Sequence, residues 1–472
     1  MFDAWKQRQR QRLENRPERT VFYNIFATMM LVLAVELLMA VASILAVNVT
    51  GQLDENAKDL LTMRVRNRAS YVQEILRNAE DLEQLSEQIT ATTQQLLKSG
   101  DISLDTLDNS SEQSDALLVA LAPQLLDTLR TKQVTGIFLI LNTHDLDTCE
   151  VGKKMPGIYL RDMDPDARPS ERNSDLLLER ASATVVKELA IGTDKGWQPA
   201  FPYQGDTKGG ILRTVFQTAY KGDAGLSAES YGRWTTNSYC RAGDDRHAIA
   251  YSMPLILPDG TVYGVVGVEL LTDYLQTKLP FTELDEDKAG TYFIVTTTDD
   301  ALTDDVLSLR KTVTSGEDLV TADAPLGVLN CRSNGNGGNW AELNGKRYYM
   351  MLEQLQLYNR NAPFAAEKWF LAGTMEQSVL LAFSSRVREV LLTTIAITLV
   401  LSVLGSLLVS ARLARPINRL YREVIDAQEK KTFPHLSRTA IREVDRFAET
   451  ITELNKELVT NSTKFLRIMD MA

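Results

Sequence analysis

Charge is what could do chemistry in this 472-residue chain. In YLRDMDPD, Arg161 and Asp162 stand side by side, able to contact a charged solute or to form a structural ion pair at a strand end. Asp162, Asp164 and Asp166 alternate there and offer oxygens, but the run lacks the glycine and distal Glu of an EF-hand loop. Catalytic signatures are missing. There is no GxxxxGK[ST] loop, no HExxH and no GGDEF-like run, and no nucleophile stands out beside a base. Of the three His, His435 sits in FPHLSR, without the acidic neighbour on a helix that a phosphoacceptor needs. The expectation is a non-enzymatic chain with no cofactor and no metal. What remains is recognition: a forked guanidinium matches a carboxylate, and an acidic or aromatic side chain matches a cation.

Those residues must be positioned by a particular kind of chain. It is 44% hydrophobic and 24% charged, with 26 Gly, 14 Pro and three Cys, which excludes disorder, collagen-like repeats and a disulfide scaffold. The net charge of −11 is unevenly placed. Residues 1–21 hold six Lys/Arg against three acids, and residues 411–472 hold twelve against nine. Between them, Glu36 aside, 33 basic face 49 acidic side chains, a profile unlike the clustered basic face of a nucleic-acid binder.

Two apolar runs divide the chain. Val21 to Val49 contains one ionisable residue, Glu36, and no Gly or Pro; Val390 to Ala411 contains no charge. Each is long enough to cross a bilayer, and the first is longer than the apolar core of a signal peptide. Lys6, Arg8, Arg10, Arg12, Arg16 and Arg19 precede the first, and Arg412, Arg415, Arg419 and Arg422 follow the second. The positive-inside rule then puts both termini in the cytoplasm and the acidic middle outside. Arg64, Arg66 and Arg68 oppose this mildly. Cys149, Cys240 and Cys331 all fall outside, with their pairing open. Glu36, costly within a span, is either a polar contact that tunes signal transfer between two copies or a neutral side chain bonded to a neighbouring helix.

The acidic middle has its own order. From Leu53 to about Lys98, apolar residues recur every three or four positions without a breaker, predicting one long stalk helix with a stripe that invites dimerisation. Short β-type runs follow: VTGIFLIL, GIYL, HAIAYSMPLI, a Pro258-Asp259-Gly260 turn and TVYGVVGVELL. A second set reads GTYFIVTTT, LVTADAP, KRYYMMLEQL and EKWFLAGTM. Two antiparallel sheets in series are expected, and from Glu376 an unbroken helix into the second span.

Span, long helix, two successive α/β modules, span: this order is similar to the double Cache ectodomain of bacterial transmembrane receptors. IAYSMP (Ile249 to Pro254), DGTVYGVVGVEL (Asp259 to Leu270) and WFLAGTMEQ (Trp369 to Gln377) resemble that family locally. The resemblance implies a membrane α+β protein with a PAS-like double sensor at 49–388: stalk 50–98, distal module about 115–280, proximal module about 285–376. It further implies a small-solute pocket in the distal module, for an amino-acid-like or carboxylate ligand. Arg213-x-x-Phe216-x-x-Ala219-Tyr220 is similar to the family's Arg-plus-aromatic segment, one residue longer than its usual spacing. Glu269 stands where many relatives carry Asp, and Tyr231, Arg233, Trp234 and Tyr239 in YGRWTTNSY would form a wall or lid. Arg161 and Asp162 complete the candidates, although a Trp in a sheet module also fits the core, and Arg213 and Glu269 also fit surface ion pairs.

Past the second span (389–411), Ile417, Leu420, Val424 and Ala427 mark one heptad helix, and Val444, Phe447, Ile451, Leu454 and Leu458 another, with Pro434 between. Residues 412–461 resemble a HAMP domain, a parallel four-helix coiled coil made by two chains, with Pro416 and Glu443 at the family's proline and acid positions. Residues 462–472 would begin a signalling helix, and the repeat still running at Ala472 leads to the expectation of a truncated sensor or an output module beyond it. The expected function is a homodimeric receptor that binds an extracellular solute and signals through the second span to a cytoplasmic output domain or partner. The rival is a membrane-anchored interaction protein that senses nothing and recruits a partner through its coil.

Overall fold

The computed structural model describes residues 21–109, 111–168, 171, 174–204, 211–222, 226–241, 244–284, 290–298, 306–314, 328–333, 338–343, 346–429 and 442–469. They form two compact units: residues 54–382, here the head, and the flanking segments 1–53 and 383–472.

Helix α1 (Val21–Val47) carries the first apolar run, and no residue of 25–42 is buried by protein. Its 27 residues extend roughly 40 Å, enough to cross a hydrocarbon core of about 30 Å. Asn48, at φ 47°, separates it from α2 (Val49–Glu80). The single stalk expected from the sequence is two helices: α2 stops at Glu80, and α3 (Glu83–Ser99) begins after Asp81 and Leu82. The apolar stripe crosses the break unaltered, with Leu61, Val65, Ala69, Val72, Leu76, Ala79, Leu82, Leu85 and Ile89 all buried. No Gly or Pro marks the interruption. It coincides with contacts to distant partners: Glu80 Oε2 accepts the Trp234 Nε1–H at 2.9 Å, and Asp81 pairs with Lys132 at 2.7 Å.

The distal module follows. After α4 (Leu104–Leu107), Ser111 caps α5 (Glu112–Lys132) by accepting from the Ser114 amide. The strands are β1 (Gly136–Leu141), β2 (Lys154–Met155), β3 (Gly157–Asp162) and β4 (Leu176–Arg180), then, after α6 (Ala183–Leu189), β5 (Thr193–Gln198) and β6 (Phe201–Pro202). After α7 (Arg213–Tyr220) come β7 (Arg233–Trp234), β8 (Tyr239–Cys240), β9 (His247–Ile256) and β10 (Val262–Leu271), closed by α8 (Thr272–Thr277). The sheet order is β5-β4-β3-β1-β10-β9-β7, with β8 also on β9 and β2 paired separately with β6. Every pair is antiparallel except β4–β5.

Strands buried on both faces need a core on each, and period two assigns them. Ile137, Leu139 and Leu141 join Leu160, Val266 and Val268 in the core that includes the α2, α3 and α5 stripes. Phe138 and Ile140 point the other way, into a second core with Tyr159, Phe201 and Phe216. The candidate site lies on this second face.

In the proximal module, β11 (Gly290–Thr298), β12 (Val306–Thr314), β13 (Val328–Ser333), β14 (Gly338–Leu343), β15 (Lys346–Leu355) and β16 (Glu367–Glu376) close on themselves as an antiparallel barrel. The run LVTADAP, 319–325, expected as a strand, lies outside the described residues. The helix after β16 is interrupted once: α9 (Gln377–Leu380) gives way at Leu381 to α10 (Ala382–Glu429), which runs through the second apolar stretch and Pro416. The expected linker with Pro434 and His435 lies outside the described residues, and α11 (Arg442–Met469), which carries Glu443, follows it.

Candidate functional site

Gly136 lies between Arg161 of β3 and Glu269 of β10 in register. A methyl group at Gly136 would sit 2.8 Å from the Tyr159 hydroxyl, so only glycine leaves room for the side chains that converge above it. Glu269 is fully buried and receives four donors. Its Oε1 accepts from the Tyr159 hydroxyl and from Arg161 Nη2 at 2.9 Å; its Oε2 accepts from the Tyr239 hydroxyl at 2.5 Å and Arg241 Nη2 at 3.2 Å. Burial pushes the Glu269 carboxyl up, but Arg241 and Arg161, with the two phenols, outweigh it and hold it below the ordinary value.

Around this centre the charges are paired in layers. Arg161 also meets Glu179 and, at 3.5 Å, Asp244. Arg246 ties Asp244 at 2.6 Å, Asp194 at 2.6 Å and Glu179 at 3.2 Å into the same network. Glu179 reaches it because of a bulge: Tyr159 opposes Arg180 and Leu160 opposes Leu178, leaving Glu179 as the extra residue of β4. Arg241 lies over the Tyr159 ring, 3.7 Å from its centroid.

A cavity of about 90 Å³ opens beside this network, bordered among the described residues by Arg180, Arg213, Arg241, Tyr203, Tyr239 and Phe201, with smaller side chains between them. Arg213, at the start of α7, donates to the Tyr203 hydroxyl at 2.7 Å and pairs with Asp147 at 2.5 Å. Arg180 is buried; its Nη1 donates to the Glu179 carbonyl at 2.7 Å and the Gly196 carbonyl at 2.9 Å. Burial, then the charge of Arg241, pulls the Arg180 guanidinium below its ordinary value.

The candidates from the sequence are distributed unevenly. Arg213 borders the cavity. Glu269 and Arg161 stand behind it, joined to its wall through Tyr239 and Arg241. Phe216 and Tyr231 are buried in the apolar core on the cavity face and do not border the cavity. Trp234 lies on the opposite face, packed 5.5 Å from Tyr251 and 6.5 Å from Trp369. Asp162, one residue from Arg161, points to the other side of the sheet and does not pair with it. Its carboxyl is raised to about 6 by burial and by Asp175. Asp164 donates its amide to Asp162, and Asp166 pairs with Lys278 at 2.5 Å, so the DMDPD acids do not converge. Cys149 and Cys240 are free thiols.

Arg180, Arg241, Tyr159 and Tyr203 were missed. Two carried a readable signal: Tyr159-x-Arg161 and Tyr239-x-Arg241 repeat one spacing, and period two puts the first pair on one face of β3. Arg180 had none, because the bulge that brings it to the cavity breaks that period.

No family model matches the sequence. No curated protein matches it either. Among solved structures the chain is similar to the periplasmic sensory domain of the Campylobacter jejuni chemoreceptor Tlp1, at 13% identity over 70% of this chain and 98% of that one, TM-score 0.40. It is similar to the ligand-binding domain of the Pseudomonas fluorescens chemoreceptor CtaA in complex with L-isoleucine, at 14% identity over 71% and 99%, TM-score 0.33. A third is that of the Pseudomonas aeruginosa amino-acid chemoreceptor PctC in complex with GABA, at 16% identity over 66% and 96%, TM-score 0.30.

Proposed function

We propose that the chain is a bacterial inner-membrane receptor whose distal module binds a small extracellular solute. The observation that carries this is the cavity bordered by Arg180, Arg213 and Arg241 beside a buried charge network. Burying that many charges is costly even when they are paired, and a hydrophobic core of the same volume would serve stability as well. A preformed polar wall at an open cavity serves recognition.

The route for the signal follows chain order: β16, α9, then α10 through the second apolar stretch to Pro416. In this reading residues 412–461 form a HAMP coil with a second copy, both termini are cytoplasmic, and Glu36, Pro416 and Glu443 take part in transmission. Phe447, Leu454 and Leu458 support pairing, since α11 leaves them exposed at steps of seven and four. A ligand shifts such a receptor only through its differential affinity for the two states. The chain itself is assigned no catalysis, and its output falls to a further domain or a cytoplasmic partner.

The test is a melting screen of the purified full chain in lipid nanodiscs against a broad solute library. A saturable rise in melting temperature for one chemical class supports the reading. A folded protein indifferent to every solute removes it and leaves the membrane-anchored interaction protein as the better account.

A further inference from the structure

The charge pattern at the cavity narrows the ligand class, and this step rests on the receptor reading above. A ligand ammonium is matched by a free acidic group or an aromatic face, and at this cavity Arg241 already lies 5.8 Å from the Phe201 ring and 6.0 Å from the Tyr239 ring. Glu269 is the carboxylate nearest the requirement, and its two oxygens already accept from Tyr159, Arg161, Tyr239 and Arg241 while it has no exposed surface. A ligand ammonium would have to displace one of two arginines or two phenols to reach it. No Asp or Glu is among the described residues that border the cavity.

The cavity wall instead presents guanidinium groups. Arg213 is balanced by Asp147, and Arg241 by Glu269. Arg180 differs: it is buried at 4% exposure, and among the described residues no carboxylate forms an ion pair or hydrogen bond with it. Its Nη1 donates to two carbonyls, and the Glu179 charge acts on it without a direct bond while Arg241 repels it, so an anion in the cavity would find a guanidinium only partly satisfied. Arg241, whose Nη2 is held by Glu269, adds positive charge to the same wall.

We infer that the site takes a small organic anion lacking an ammonium group, a mono- or dicarboxylate that completes the coordination of Arg180 in the positive field of Arg241. Size agrees: about 90 Å³ is several times the roughly 10–15 Å³ that a single water needs, room for a small solute. The aromatic rings of Phe201, Tyr203 and Tyr239 flank a short carbon chain between the charged ends.

The test compares twins that differ by the amino group, on the full chain in nanodiscs by calorimetry: succinate against L-aspartate, glutarate against L-glutamate, propionate against L-alanine. The expected result is at least tenfold tighter binding of one or more of the amine-free acids, weakened tenfold or more by Arg180→Gln and in part restored by Arg180→Lys. If Arg180→Gln fails to fold by circular dichroism, the twin comparison on the unaltered protein decides alone. An amino acid that binds as tightly as its amine-free twin overturns the inference and leaves the receptor reading intact. So does binding of a neutral or cationic solute with none of the acids. Absence of binding across the acids, the amino acids and the broad library overturns both.

Discussion

Four donors on one carboxylate make Glu269 the residue whose loss is felt most widely. Glu269→Ala leaves Arg241 and part of Arg161 buried without an anion, and removing one partner of such a cluster costs about 3–5 kcal/mol. Urea unfolding of the variant would read this directly, and a loss below about 1 kcal/mol would show that the arginines re-pair with Glu179 and Asp244. Glu80 acts through pH. Burial raises its carboxyl to about 7, partly offset by the Trp234 N–H and Arg77, with Glu229 and Asp81 adding to the rise. A raised carboxyl means the folded state holds the proton more tightly than the unfolded chain. Its stabilisation is therefore full below the ordinary value of 4.5 and is lost as pH climbs through about 7. The amplitude is on the order of 3 kcal/mol. Glu80→Gln should flatten the stability of the head between pH 5 and about 7.5 relative to the unaltered chain, measured by denaturation at fixed temperature. Asp162, raised to about 6, adds a slope of the same sign that both proteins share. At this scale strand period placed Arg161 and Glu269 on one face, where they pair with each other behind the cavity wall rather than bordering it. The sequence was illegible where a bulge or a packing choice decided: Arg180 joined the wall, and Trp234 turned to the other face.

Among the elements, regular pattern predicted structure well. The β9, β11 and β15 runs coincide with the segments read from alternation and turn residues. β4, β5 and β12 went unread because they alternate weakly in stretches dense in charge, and β13 and β14 because they are short and flank an Asn/Gly-rich run. The stalk shows the limit differently. Its stripe is continuous in sequence and in space, yet the backbone breaks at Asp81–Leu82, where Trp234 and Lys132, far along the chain, hold the adjoining carboxylates. The stripe should dominate its energetics. Leu76→Ala, at 0% exposure, is expected to cost about 2–5 kcal/mol, and Leu60→Ala, at 46%, about 0.5 kcal/mol or less, in thermal unfolding of the same protein. Gly136→Ala tests close approach between strands. The clash with Tyr159 predicts a loss of about 1–3 kcal/mol together with weaker solute binding.

For the whole molecule, residues 233–236 link the distal and proximal sheets of the head directly, beside a core that both share with the α2 stripe. Arg233 pairs with Glu367 at 2.6 Å, the Trp234 amide donates to the Tyr358 hydroxyl at 3.0 Å, and the Thr236 carbonyl accepts from Thr312 at 3.1 Å. Such a joint predicts one cooperative unfolding transition for residues 54–382, with near- and far-UV circular dichroism coinciding, and Arg233→Ala separating the two curves. The apolar stretches in α1 and α10 predict that a membrane-impermeant maleimide labels the exposed Cys240 thiol in spheroplasts and not in sealed inverted vesicles. The same joint carries its own lamp. Of five tryptophans, Trp234 and Trp369 are both sealed from water, and Trp234 donates its indole N–H to a carboxyl that ionises near neutrality. Its ultraviolet emission should therefore lie toward the blue and dim as Glu80 ionises, a colour change available to any spectrometer without a dye.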